Sequence, residues 1–320
     1  MKINHIKNIF PDAQVARYNM GVWQKSVEDA LCFIGREVVT PGVPGEPDTG
    51  ILKLFEIGKD GIIKHERVIW KPLYEGINLE DPRALQLPNE NLIIGLTCVL
   101  RNKNGQPIPF PAIVKIDYLN SWKQNLPPFL VIDTFGPGKN ITPIDSSTYL
   151  FRPESSDYNH KILVFSLHSQ VPQKICDIEF PLDLPWAKWR IGTTMPPIWL
   201  NSEEALFIIH GITMQNIGGK EKYIYSIGRA KLIRKKNKFQ VVVAKEPILT
   251  PDNFLDEEGL PLVAELHPEE RRVVYSCGGT IKKGIKSSLS LYVNVGDRTT
   301  FEVEFSMDEL MKGLIVELVL

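Results

Sequence analysis

Arg83-Ala84-Leu85-Gln86-Leu87-Pro88-Asn89-Glu90-Asn91-Leu92-Ile93-Ile94-Gly95-Leu96-Thr97-Cys98-Val99-Leu100 reads as strand, turn and strand. The apolar run Arg83 to Leu87 stops at Pro88-Asn89-Glu90-Asn91, a cluster of turn formers, and Leu92 to Leu100 resumes it without helical spacing. Ala112 to Tyr118 adds another strand to the same unit.

Outward from this unit the plan recurs four more times. Before it come Ala30 to Gly35 and Ile51 to Ile57, a Gly58-Lys59-Asp60-Gly61 turn and a strand to Trp70. After it come Thr148 to Arg152, a polar turn at Ser155 to Asn159, and Lys161 to Leu167. A fourth unit holds Pro197 to Leu200, a turn at Asn201 to Glu204, Ala205 to His210, Tyr223 to Ile233 and Phe239 to Val243. The fifth holds Leu262 to Leu266, a turn at His267 to Glu270, Arg272 to Cys277, Leu289 to Val295 and Phe301 to Phe305. Five sheets of roughly four short strands, at ~45 to 70 residues each, predict an all-β, five-bladed β-propeller, with residues 1–320 as a single domain. A two-sheet sandwich is the alternative. One helix is expected, Met307 to Met311, with Ser306 placed to cap it.

Composition narrows the function classes. With 43% hydrophobic residues, 23% charged residues and a formal net charge of -1, the chain has the make-up of an ordinary globular protein, not of a disordered or membrane one. The densest basic run, Arg234-Lys235-Lys236 with Lys238, sits between apolar runs as a hairpin turn would, so no nucleic-acid partner is expected. Cys32, Cys98, Cys176 and Cys277 lie far apart, without a C-x-x-C pair or His at zinc spacing, which points to buried thiols and no metal. Met1 to Gln14 lacks an apolar stretch of signal-peptide length, so a cytoplasmic location is expected.

The chemistry is sought between blades, because inner strands of a propeller converge at one mouth. Glu80-Asp81-Pro82-Arg83 follows the polar Tyr74-Glu75-Gly76-Ile77-Asn78 and leads into Ala84 to Leu87. Pro82 holds Asp81 away from helical geometry, so a carboxylate and a guanidinium leave a rigid turn at a strand start. That suits an acid and its charge partner; it also suits a plain surface turn.

Set beside the five-unit plan, these residues resemble glycoside hydrolase family 130, the mannoside phosphorylases and related β-mannosidases. The resemblance runs from about Tyr18 to Met311. Tyr18-Asn19-Met20 is similar to Phe-Asn-Pro at the start of blade one, and Gly35-Arg36-Glu37 to Tyr-Arg-x-Glu. Glu80 to Arg83 matches Glu-Asp-Pro-Arg outright, and Gly138-Lys139-Asn140 resembles the Lys-Asn stretch before blade three. Trp189-Arg190-Ile191-Gly192 with Pro196-Pro197 is similar to Lys-Ile-Gly-Ala-Gly-x-Pro-Pro, Ile209-His210-Gly211 to Tyr-His-Gly, and Lys245 to Leu249 to Lys-Glu-Pro-Ile-Leu. Val273 to Gly278 resembles Val-Val-Phe-x-Cys-Gly, and Gly296-Asp297 stands where Ala-Asp-Thr does. Separate motifs in one order are far more specific than any one of them.

The resemblance implies that Asp81 is the proton donor to the glycosidic oxygen, relayed through a sugar hydroxyl. It implies that Asn19, Arg36, Arg83 and Asp297 line the sugar pocket, and that Lys139, Asn140, Arg190 and His210 bind phosphate. Inorganic phosphate is then the co-substrate, no cofactor is needed, and an oligosaccharide is the partner; a homo-oligomer is left open. An inverting phosphorylase needs one carboxylic acid, because the phosphate is itself the nucleophile, whereas a hydrolase needs a second carboxylate to activate water. One departure favours the hydrolase: Ser166-Leu167-His168-Ser169-Gln170 lacks the arginine of a Leu-His-Arg-Pro-like segment. Arg152 is the candidate replacement cation, and Glu154, Glu203, Glu204 or Glu265 are candidate bases for hydrolysis. A non-catalytic sugar- or protein-binding propeller is the third reading. Six tryptophans, Trp23, Trp70, Trp122, Trp186, Trp189 and Trp199, are read as packing and not as sugar platforms.

Overall fold

The computed structural model describes residues 2–11, 14–24, 30–43, 46–58, 60–72, 77–88, 91–116, 125–168, 171–236, 238–282 and 287–314. Lys59, Tyr74 to Gly76, Asn89-Glu90, Asp117-Tyr118, Trp122 and Ser169-Gln170 lie outside the described residues.

Five sheets, antiparallel apart from one two-residue parallel pairing in the fourth, form the five blades. Blade one comprises Arg17–Gln24, Leu31–Thr40, Thr49–Ile57 and Ile63–Trp70. Blade two comprises Asn78–Gln86, Leu92–Arg101, Pro107–Ile116 and Leu130–Val131. Blade three comprises Gly138–Pro143, Thr148–Pro153, Lys161–His168 and Val171–Glu179. Blade four comprises Arg190–Thr193, Glu204–Ile217, Lys220–Lys235 and Lys238–Val243, with the two-residue strands Ile198–Trp199 and Arg271–Arg272 added at its edges. Blade five comprises Val274–Lys282, Ser288–Val295, Thr299–Ser306 and, as its fourth strand, the N-terminal His5–Asn8, which ties one end of the chain to the last blade and closes the ring.

The apolar runs are nearly continuous because each blade is sandwiched between two others, and alternate residues of a strand face opposite neighbours. Leu92, Ile94 and Leu96 pack with Trp23 and Leu54 of blade one, while Ile93 between them packs with Phe151 and Phe165 of blade three. Leu206 and Ile208 likewise meet Leu289 and Val303 of blade five, whereas Ala205, Phe207 and Ile209 meet Leu150 and Val164 of blade three. Phe33 and Phe55 meet Tyr292 across the closing junction.

Several boundaries differ from the sequence reading, for one reason. The first strand of each blade faces the ring axis, where neighbouring backbones approach so closely that side chains are squeezed out. A Cβ on Gly21 would lie 2.7 Å from the carbonyl oxygen of Pro82, and one on Gly278 would lie 2.5 Å from that of Met20. Such strands carry little apolar signal. Arg17–Gln24, Gly138–Pro143 and Arg190–Thr193 are inner strands missing from the five-unit plan, and Lys139 belongs to one of them rather than to a loop. Glu80-Asp81-Pro82-Arg83 is not a turn before a strand but lies within Asn78–Gln86. Leu262 to Leu266 forms no strand; the innermost strand of blade five is Val274–Lys282. The helix Met307–Met311 is present, with Ser306 at its cap position but without a capping bond from the Ser306 side chain. All four cysteines are free, and Cys32, Cys98 and Cys277 are buried. No helix among the described residues is long and apolar enough to cross a membrane.

Candidate active site

Three inner strands share one irregularity. Pairing with the second strand slips between Tyr18 and Gly21, between Glu80 and Arg83, and between Lys139 and Thr142. Each slip is a β-bulge, and within it sits a residue in the left-handed region: Asn19 at φ 56°, Asp81 at φ 52° and Asn140 at φ 63°. Asn and Asp tolerate that conformation best among residues with a Cβ. Asp297, at φ 51° in the turn between the last two long strands of blade five, is a fourth case. All four side chains line a single cavity of about 340 Å³ at the mouth of the ring.

The two sides of this cavity differ in charge. Blades one, two and five, with the loops flanking them, contribute Asn19, Arg36, Asp48, Glu80, Asp81 and Asp297, and the edge strand Arg271–Arg272 of blade four, with the residue before it, adds Glu270 and Arg271. Among the described lining residues, blade three and the long strands of blade four contribute no carboxylate; they supply Lys139, Asn140, Arg152, His210, Ile212 and Tyr225. Asp81 stands between. Its Oδ1 accepts a 2.6 Å hydrogen bond from Asn19 Nδ2. Burial raises the Asp81 pKa and neighbouring Glu80 adds to this, against the opposing pull of Arg83, Lys139 and Arg36. A carboxyl whose pKa is raised by burial is suited to general-acid work.

On the acidic side Arg36 pairs with Glu80 Oε1 at 3.1 Å and donates to Tyr18 Oη and to the Asp48 carbonyl. Asp48 accepts from Tyr18 Oη at 2.8 Å and from the Gly42 N–H at 2.7 Å, and lies 2.9 Å from His267 Nε2. These contacts fasten the loop before Thr49 over the cavity edge. Although burial disfavours its charge, the Gly42 N–H and Arg36 hold the Asp48 carboxyl below its usual range. Arg271 Nε donates to Asp297 Oδ2 at 2.8 Å.

On the cationic side Lys139 approaches Glu80 at 3.8 Å, and Arg152 is held by Glu154 Oε1 at 2.7 Å. His210 is buried, and burial together with Arg152 and Arg83 pushes its pKa well below normal, so the ring is neutral. Its bond to the Thr193 carbonyl and its partnerless Nδ1 make Nε2 the protonated nitrogen and leave Nδ1 an acceptor. At Nδ1, His210 can therefore only accept, as from a hydroxyl or a protonated phosphate oxygen. Arg152 Nε and Arg36 Nε are buried donors without a protein partner. Unpaired buried donors and acceptors around one cavity are what a polar ligand satisfies.

Two expected site residues are elsewhere. Arg83 is 0% exposed and does not line the cavity; it runs beneath the floor, donating to the Asp81 carbonyl at 2.8 Å, Asn140 Oδ1 at 3.0 Å and Tyr275 Oη. The bulge explains this, since the extra residue turns Asp81 toward the mouth and Arg83 toward the axis. Arg190 is also outside the cavity lining, bound to Glu154 Oε2 at 2.6 Å and Asn159 Oδ1 at 3.1 Å and stacked on Trp189. Of the four candidate bases, Glu154, Glu203, Glu204 and Glu265, none lines the cavity. Asp48, Tyr225, Arg271 and Tyr275 do so and were not anticipated. Arg271 sits in the charge run Glu269 to Arg272, which reads as solvated surface, and Asp48 in a Pro- and Gly-rich loop without motif.

No family model and no curated relative matches the chain. Solved structures do. β-1,2-Mannobiose phosphorylase from Listeria innocua, in complex with β-1,2-mannobiose, is 16% identical, with 98% of this chain and 95% of that one covered at a TM-score of 0.63. A glycosyl hydrolase from Bacteroides ovatus is 12% identical over 92% and 85% of the two chains at 0.57. A GDP-Man-dependent mannosyltransferase from Leishmania mexicana is 16% identical over 93% and 87% at 0.53. The fold of this chain, a five-bladed propeller from end to end, is the fold of these proteins.

Proposed function

We propose that this protein is a carbohydrate-active enzyme of glycoside hydrolase family 130 and that it cleaves β-mannosides by phosphorolysis with inversion. The observation that carries the reading is the division of the cavity, with a buried acid at its centre and a carboxylate-free, cationic wall on one side. Asp81 gives its proton, through a sugar hydroxyl, to the glycosidic oxygen. A phosphate oxygen attacks the anomeric carbon from the opposite face, forming the new C–O bond as the glycosidic C–O bond breaks. Mannose 1-phosphate and a shortened sugar leave. Arg152 and Lys139 hold the anion by charge, Asn140 lies beside them, and the neutral His210 accepts at Nδ1 a hydrogen bond from the protonated oxygen of hydrogen phosphate. Asn19, Arg36 and Asp297, with Asp48, face the mannosyl hydroxyls.

Hydrolysis would need a base opposite Asp81, roughly 6.5–9.5 Å away, to activate water. The cavity wall formed by blade three and the long strands of blade four offers none among its described residues. Incubation with mannobiose isomers, with and without phosphate, decides between the two readings. Mannose 1-phosphate formed only with phosphate is the expected result, and phosphate-independent release of mannose overturns it.

A further inference from the structure

Asn294 lies in the second strand of blade five, 1% exposed and outside the cavity lining. Its Nδ2 makes two bonds, to Asp297 Oδ1 at 2.7 Å and to Asn19 Oδ1 at 3.1 Å. Asn19 in turn donates from Nδ2 to Asp81 Oδ1 at 2.6 Å. Asp297 is bound on its other oxygen by Arg271 Nε at 2.8 Å. The four contacts form one chain of donors and acceptors from the rim of the cavity to the acid.

The direction of that chain is dictated at its far end. Asp297 beside a guanidinium is a carboxylate, and a carboxylate only accepts. Asn294 must therefore turn its NH2 toward Asp297, and the second hydrogen of that NH2 points to the Asn19 carbonyl oxygen. Asn19 is left with only its own NH2 to present to Asp81. The cost is visible: Asn294 Oδ1 is buried without a partner. A buried oxygen left unpaired while both hydrogens are used marks a group held for what it donates. With Oδ1 of Asp81 already accepting from Asn19, the transferable proton is confined to Oδ2.

We propose that Asn294 is a positioning residue: it locks the Asn19 amide so that Nδ2 faces Asp81 Oδ1, and so reserves Asp81 Oδ2 for the proton given to the substrate. The inference rests on the reading of Asp81 as the acid. Other groups acting electrostatically on Asp81 are Glu80 and Arg83 on its own strand, Arg36 of blade one, Lys139 of blade three, and Tyr275 and Cys277 of blade five. None of these is altered by a change at Asn294.

Asn294→Ala is the incisive variant, because it removes both donors without placing a charge beside Asp297. The Asn19 amide is then released and can turn its oxygen toward Asp81, and the ionised form of Asp81 loses its fixed donor. The Asp81 titration is read directly by carboxyl NMR on aspartate-labelled protein, the signal being identified by its loss in Asp81→Asn. Its midpoint is expected to rise by about half a pH unit in Asn294→Ala, which releases the lock. With mannobiose and phosphate, kcat falls roughly tenfold with KM within about twofold, and the alkaline limb of kcat moves up with the NMR midpoint. An Asp81 midpoint unchanged in folded Asn294→Ala overturns the proposal; Asn294→Leu, close in size and also without a donor, takes its place if the alanine variant does not fold. Absence of turnover in the unaltered protein overturns the phosphorylase reading instead, and leaves the NMR titration to judge Asn294.

Discussion

Arg152 and Arg190 both reach Glu154, yet the proposed phosphorolysis gives them opposite importance. Arg152 lines the cavity with a buried Nε free of protein partners, whereas Arg190 is used up by Glu154, Asn159 and the face of Trp189. Replacement by methionine removes the charge and keeps most of the apolar stem. In Arg152→Met the phosphate loses one or two charge-assisted hydrogen bonds, about 2–3 kcal/mol in a partly buried site. That is roughly a 30- to 150-fold rise in the phosphate KM, at about 1.4 kcal/mol per factor of ten. Glu154 keeps Arg190 as its partner, so no buried charge is stranded and the fold should survive. In Arg190→Met, Glu154 keeps Arg152, and the phosphate KM should move by less than about threefold. The assay is release of mannose 1-phosphate with phosphate varied at saturating mannobiose. Equal effects of the two variants, or a larger one for Arg190→Met, would refute the assignment of Arg152 to the anion.

Asp81→Asn keeps a side chain that tolerates φ 52° and should leave melting unchanged while lowering kcat by ~10²- to 10⁴-fold; unaltered turnover removes Asp81 from the mechanism. Glu265 is pushed up to about 7 by burial and by Asp297. The unfolded chain releases this proton near pH 4.5 and the folded one only near 7, so stability falls as pH rises through that window and the loss is complete above it. Glu265→Gln should abolish this, gaining ~2 kcal/mol at pH 8 after allowance for partial exposure and nothing near pH 4, as urea unfolding at the two pH values would show. Gly21→Ala should destabilise by about 1–3 kcal/mol, because the new methyl must push the Pro82 carbonyl and with it the Asp81 bulge; an unshifted urea midpoint contradicts the axial packing.

The blade count was readable because the middle strands declare themselves. Leu92 to Leu100 and Ala205 to His210 are buried on both faces, and such runs are apolar whatever their neighbours. The inner strands were not readable as strands, since Gly138–Pro143 begins with glycine and ends with proline and Arg190–Thr193 has only four residues. Their residues were visible instead as motifs, which is why Asn19, Asp81, Lys139 and Asn140 could be named while their strands were missed. Arg83 shows the limit of that route. A motif names neighbours in sequence, but a bulge between Glu80 and Arg83 sends Asp81 to the mouth and Arg83 to the axis. Asp48 and Arg271 had no signal to offer, because an acid in a loop and a cation in a charge run acquire partners only when the segment from His267 to Arg271 is brought against blades one and five.

The site follows from the ring's packing and not from the acid alone. Inner strands crowd the axis, and a regular strand there would point alternate side chains into neighbouring blades. One extra residue in each of blades one, two and three breaks that alternation, and the left-handed conformation it adopts selects Asn or Asp over apolar residues. The polar side chains thus gather at the mouth for conformational reasons before any chemistry is asked of them. Of the three, the blade-two residue is a carboxylate. It lies above Arg83, whose donors reach the Asp81 carbonyl, Asn140 and Tyr275, so the guanidinium ties down the floor on which the acid rests. Replacing Arg83 by lysine would keep the charge and lose this fork, loosening blade two against blades three and five together. The acid, its amide partner Asn19 and the neutral Asn140 beside the cations are three versions of one structural position, and the distribution of charge among them orients the proposed reaction.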